Sequence, residues 1–196
     1  MKSGFSDITI LPSDSAPAQT GEQGGITYPH RDKRKLIVVN VASRCNLSCP
    51  YCFIKHRDPV DIDKSDFAYL FEVFGENIHF ILGGIADYFC GYQKSERLTE
   101  YILSHDVTVH FDINGVLIHE LPELPKADLD KILVLDISYH YSSMKERGLL
   151  RQWIQNVRTL SGLIAPERYY VKMIVSLKEM DLWEEAVRVY GMMVYP

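Results

Sequence analysis

Residues 40–58 read NVASRCNLSCPYCFIKHRD, and three of the chain's four cysteines, Cys45, Cys49 and Cys52, fall within eight residues of this stretch. Thiolates spaced Cys-x3-Cys-x2-Cys on one tight loop can wrap a single compact cluster. A cubane of four irons is ordinarily held by four cysteines, so three local ligands leave one iron open to something else. Zinc is the rival metal, because His56 follows closely enough for Cys45, Cys49, Cys52 and His56 to form a closed Cys3His structural site. Small zinc modules need their metal to fold, whereas a chain of 196 residues with five apolar runs does not. That difference favours iron and sulfide. Cys90, isolated among aromatics in DYFCGY, reads as a small buried hydrophobe and a bystander.

The first apolar run, LIVVNVA (36–42), leads directly into the cysteines, and IHFIL (78–82), VTVHFDI (107–113), ILVLDIS (132–138) and YVKMIVS (170–176) follow it. Such nearly continuous β-branched runs suit strands buried on both faces, as in a parallel sheet. Helical spacing groups Phe67, Leu70, Phe71 and Phe74, then Leu149, Leu150, Trp153, Ile154 and Val157, then Leu182, Trp183, Ala186, Val187 and Tyr190. Asp181 with Glu184 forms a capping box for the last helix, and Ser95 caps ERLTEYIL. Pro122 and Pro125 limit 116–130 to a short helix at most.

Alternating strands and helices with right-handed crossovers predict an α/β fold, either an open doubly wound sheet or a partial (β/α) barrel of about five to six parallel strands. A closed eight-unit barrel needs ~250 residues, so a barrel here is a partial one. It is either completed by a strand at MMVYP (192–196) or cut short as a piece of a longer protein. Residues 1–34, rich in Ser, Gly, Gln, Pro and Ala, form a loose extension in which DITILP supplies an edge strand, and 35–196 form the core domain. In both architectures the cysteine loop lies at the carboxyl edge of the first buried strand, where such folds bind ligands.

The net charge of -5, mixed in sign along the chain, argues against a nucleic-acid or membrane partner. The basic run HRDKRK (30–35) is interrupted by Asp32 and reads as a solvated lead-in to a strand. No stretch has the apolar length of a signal core or a membrane span, so the expected location is the cytoplasm. In that reducing compartment clustered cysteines are metal ligands or redox groups before they are disulfides.

CNLSCPYC, with Tyr51 before its last cysteine, resembles the signature of the radical S-adenosylmethionine (radical SAM) superfamily, whose core is a full or partial β/α barrel. The resemblance implies that Cys45, Cys49 and Cys52 hold a 4Fe-4S cluster whose fourth iron takes the amino and carboxylate groups of S-adenosyl-L-methionine. An electron from the reduced cluster then splits the sulfonium, and a 5′-deoxyadenosyl radical abstracts a hydrogen atom from substrate. The likeness runs over residues 36–176. FILGGIADY is similar to the family's Gly-Gly-Glu-Pro segment at Gly83 and Gly84, with Ile85 and Ala86 in place of Glu and Pro. DINGVLI is similar to its Thr-Asn-Gly turn at Asn114 and Gly115, and Ser138 stands where members carry a polar residue toward the ribose or carboxylate.

The cofactor contacts expected on this resemblance are Tyr51, Gly83, Gly84, Asn114 and Ser138. Asp112 and His140, with His110, are read as substrate or cofactor contacts because inward residues near the carboxyl ends of a partial barrel face its cavity, and Lys172 as one that reaches the cofactor carboxylate. Blander readings stand beside them. The glycines and Asn114-Gly115 serve as turns, His110, Asp112 and His140 as buried hydrogen-bonded groups, and Lys172 as the partner of Asp136 or of the cofactor carboxylate. Tyr139, Tyr141 and Trp153 read as packing residues. The implied partners are an electron donor such as flavodoxin or ferredoxin, and a peptide or protein substrate docked on the barrel's open side, with a small molecule also compatible. The alternatives are a zinc-stabilised interaction module and a cluster-binding scaffold without radical activity.

Overall fold

A computed structural model describes residues 8–11, 34–41, 44–52, 54, 62–83, 86–90, 97–173 and 177–194. Its strands are β1 (Ile8–Leu11), β2 (Lys35–Val39), β3 (Ile78–Leu82), β4 (Val107–Ile113), β5 (Ile132–Tyr139) and β6 (Tyr169–Met173), hydrogen-bonded in that order. β1 runs antiparallel to β2, as the edge strand read in DITILP, and β2 to β6 are all parallel. The order has no reversal, the feature that defines the switch point of a doubly wound sheet. When each right-handed crossover steps the same way along the sheet, the connecting helices fall on one face.

The crossover β2 to β3 carries helix α1 (Lys64–Phe74), which opens with a capping box between Asp63 and Asp66 and stops at Gly75. Helix α2 (Leu98–Leu103) precedes β4 and follows Arg97 in the left-handed region at φ 50°. The cap read at Ser95 lies outside the described residues. A 3-10 turn (Leu121–Glu123) and helix α3 (Lys126–Leu129) are all that the two prolines permit between β4 and β5. Helices α4 (Tyr141–Glu146) and α5 (Leu150–Leu163) connect β5 to β6, and a 3-10 turn (Leu177–Leu182) leads into α6 (Trp183–Val194).

Three expectations change at the C-terminal end. MMVYP supplies no strand at 192–194, because these residues continue α6. Asp181, read as the cap of a box with Glu184, sits inside the 3-10 turn, and the helix begins two residues later. Trp183 and Val187 are 39% and 43% exposed, while Ala186 is buried and Leu182, Val189 and Tyr190 pack against the core. The apolar stripe of α6 thus keeps Leu182, Ala186 and Tyr190 as read in the sequence, but takes Val189 in place of Trp183 and Val187.

Burial alternates along the strands. Ile37, Val39, Phe80, Leu82, Phe111 and Ile137 face the helices and meet Phe67, Leu70, Ile102, Trp153 and Val157 in one core. The strands are thus not buried alike on both faces. The other face carries Leu36, Val38 and Ile81 beside His79, Thr108, His110, Asp112, Asp136, Ser138 and Lys172, several of them half-buried. The sheet has an apolar side under its helices and a polar side with titratable groups.

Gly115, two residues past the end of β4, has φ 75°, and a Cβ there would lie 2.6 Å from Ile137 Cγ2 and 3.1 Å from Trp153 Nε1. Gly115→Ala is expected to cost about 2–4 kcal/mol, from the left-handed backbone and the forced shift of two core side chains. Chemical denaturation compared with the parent checks this, and a loss under 1 kcal/mol contradicts it.

Candidate functional site

The chain leaves β2, and residues 44–52 cross the carboxyl edge of the sheet as the cysteine loop. Leu47 is buried in the core and pins the middle of the loop. Ser48 secures the next position to α4: its amide donates to Ser143 Oγ at 3.3 Å, and its hydroxyl accepts from Arg147 Nη1 at 3.1 Å. The Cys52 amide donates to Cys49 O at 3.0 Å, closing the final turn. Tyr51 hydrogen-bonds His140 Nδ1 at 2.8 Å, the two rings stacked at 5.9 Å. Burial, then the nearby Lys172 charge, pushes the His140 imidazole down to about 4, so it is neutral at pH 7 and able to accept from the phenol.

Cys45 is exposed and Cys49 and Cys52 are half-buried. Cys45 Sγ accepts from the Leu47 amide at 3.4 Å and from Asn114 Nδ2 at 3.7 Å, and Cys52 Sγ donates to Ile54 O at 3.5 Å. Among the described residues no group of three or more His, Cys, Asp or Glu side chains is arranged to hold a metal ion. His56, the fourth ligand of the zinc reading, lies outside the described residues.

Two residues that the sequence did not single out organise this edge. Asp87, buried in the loop after β3, accepts from Phe89 N at 3.0 Å and Asn114 N at 2.7 Å, while its own amide donates to Arg44 O at 3.3 Å. Asn46 Oδ1 accepts from Asn114 Nδ2 at 2.7 Å and from Cys90 Sγ at 3.7 Å. Asn and Asp in loops commonly bond to nearby backbone, but that signal names no distant partner. Burial pushes the Asp87 carboxyl up to about 6 despite its two backbone donors.

The other expected residues fall into place around this junction. Asn114 is buried at the end of β4. A Cβ on Gly83 would lie 2.6 Å from Asp112 O, so this position is glycine because β4 packs against it. Gly84 lies outside the described residues. Ser138 is buried on the polar face, where Lys172 Nζ sits 3.0 Å from both Asp112 Oδ1 and Asp136 Oδ2. Burial opposes the Lys172 charge, yet the two carboxylates prevail and hold its pKa above the ordinary lysine value. Lys172 thus has the Asp136 partner read in the sequence and Asp112 as well. His110 is buried on the same face, its pKa lowered by burial against the pull of Asp136 and Asp112. Cys90 is buried, and burial followed by the Asp87 charge pushes its thiol up to about 12, in keeping with the bystander reading. Tyr139, Tyr141 and Trp153 are buried packing residues, and Trp153 Nε1 also donates to Asn114 O at 2.9 Å.

No protein-family model matches the chain, and neither does any curated protein. No described helix is long and apolar enough to cross a membrane.

Asp87 and His140 pull stability in opposite directions with pH. Protonated Asp87 favours the fold fully below 3.8, and that contribution is lost as pH rises through about 6. Neutral His140 favours the fold above 6.5, and that contribution is lost as pH falls through about 4. A tenfold change in proton affinity is worth about 1.4 kcal/mol, so the two nearly cancel between these limits. Relative to the parent, Asp87→Asn should lose stability on acidification from pH 6.5 to 4, and His140→Gln should gain it. Urea unfolding at stepped pH checks both signs, and two profiles parallel to the parent contradict the assignment.

Proposed function

We propose that the chain is a radical SAM enzyme whose three-cysteine loop holds a 4Fe-4S cluster and whose open iron takes S-adenosylmethionine. The observation that carries this reading is the position of the loop. Its three thiols follow the first parallel strand of a sheet wound in one direction, at the edge where such sheets bind ligands. In this reading the sheet is a partial barrel with its polar face inward.

The chemistry of the donor set fits a cluster. All three candidate ligands are thiols, and Cys45 Sγ already accepts from two N–H groups, the setting a metal-bound thiolate requires. Ligands of a cubane each hold a different iron, so they need not converge on one point as the ligands of a single ion do. When bound, the cluster and its cofactor supply one electron and a 5′-deoxyadenosyl radical.

The chain's own residues supply position and polarity. Asn46, Leu47, Ser48 and Tyr51 fix the loop from four sides through β4, the core, α4 and His140. Lys172, held between Asp112 and Asp136, offers a cation to a carboxylate, while the two aspartates accept from hydroxyl or amino groups. Asp136 Oδ1 is buried with no hydrogen-bond partner among the described residues and is an acceptor suited to such a donor. A peptide or protein substrate docks on the open side of this partial barrel, and the electron comes from a flavodoxin or ferredoxin.

Anaerobic reconstitution with iron and sulfide, then reduction with S-adenosylmethionine, tests the proposal. The expected product is 5′-deoxyadenosine, absent in Cys49→Ala. One tightly bound zinc with no iron uptake overturns the reading, and a cluster without product leaves a binding scaffold in its place.

A further inference from the structure

We infer that Asn114 is a positioning residue that raises the electron affinity of the metal centre by donating a hydrogen bond to Cys45. This inference rests on the iron-sulfur reading of the loop. Asn114 is buried, and each of its polar groups is engaged. Its amide donates to Asp87 Oδ2 at 2.7 Å, its carbonyl accepts from Trp153 Nε1 at 2.9 Å, and Oδ1 accepts from Val116 N at 2.9 Å. That leaves Nδ2 with two hydrogens, one toward Asn46 Oδ1 at 2.7 Å and the other toward Cys45 Sγ at 3.7 Å.

The orientation of the side-chain amide follows from these partners. Reversing it would set Oδ1 against Asn46 Oδ1 and turn an NH2 group toward the Val116 amide, two like-with-like contacts. The donor is therefore directed at Cys45 by the Val116 amide and Asn46, while Asp87 holds the Asn114 backbone. Cys45 and Asn114 sit on loops after β2 and β4, so this contact bridges the intervening β3. A donor to a ligating sulfur stabilises the more negative, reduced state of a cluster and makes it easier to reduce.

Reconstituted parent, Asn114→Ala, Asn114→Asp and Cys90→Ala are compared by anaerobic redox titration of the cluster. Asn114→Asp keeps the acceptor for the Val116 amide but replaces the donors with a carboxylate whose charge also disfavours reduction. At the parent's midpoint the reduced-to-oxidised ratio should fall about tenfold in Asn114→Ala, a ~59 mV shift for a one-electron couple, and further in Asn114→Asp. Cys90→Ala, which shares the Asn46 acceptor without reaching Cys45, should stay within about threefold of the parent. Asn114→Ala with a full cluster and the parent midpoint overturns the inference, while a parent that takes up no cluster overturns the reading beneath it. Should the variants fold poorly, pulsed EPR of the reduced parent labelled with 15N in its asparagine side chains serves instead. A 15N coupling to the cluster is expected, and its absence overturns the inference.

Discussion

The carboxylate of Asp87 accepts the Asn114 amide from the loop after β4 and the Phe89 amide from its own loop, while its backbone N–H reaches Arg44 beside the first cysteine. Three consecutive loops of the carboxyl edge are thereby joined at one buried group. The cysteine loop leans on a short helix, the core at Leu47 and a few side chains, and its first cysteine stands beside this junction. Burial makes the arrangement sensitive: a carboxylate away from water holds its place only because backbone donors occupy both oxygens.

The two faces of the sheet divide the work. Winding in one direction collects the helices, and with them the apolar core, on one side. The opposite side is then relieved of packing duty and can carry His110, Asp112, Asp136 and Lys172. A lysine between two aspartates at 3.0 Å leaves one net negative charge, a balance more tolerant of half-burial than any of the three alone. Tyr51 joins the two systems, since it belongs to the cysteine loop and bonds His140 at the end of β5.

Local periodicity made β3 and β4 legible residue for residue, and the prolines at 122 and 125 correctly limited the following connection. The stripe of α1 was equally plain, because Phe67 and Leu70 recur at helical spacing and both are buried. At α6 the same rule held for Leu182, Ala186 and Tyr190 but failed for Trp183 and Val187, which are as apolar as their buried neighbours, so that only tertiary packing decides the edge of the stripe. The cysteines announced themselves by type and spacing. Asp87 and Asn46 did not, because their roles depend on partners 27 and 68 residues away, a distance that no local pattern encodes. Gly83 was visible as a glycine, but no local pattern showed that a Cβ there would meet Asp112 on the next strand.

In the proposed chemistry three thiolates hold a cluster with one iron open to the cofactor. EPR of the reduced, reconstituted protein before and after addition of S-adenosylmethionine tests it directly. The predicted result is a 4Fe-4S signal whose g-values change when the cofactor binds, with 57Fe coupling that sets one iron apart from the other three. A cluster spectrum unmoved by saturating cofactor, or a protein that carries no cluster, contradicts it.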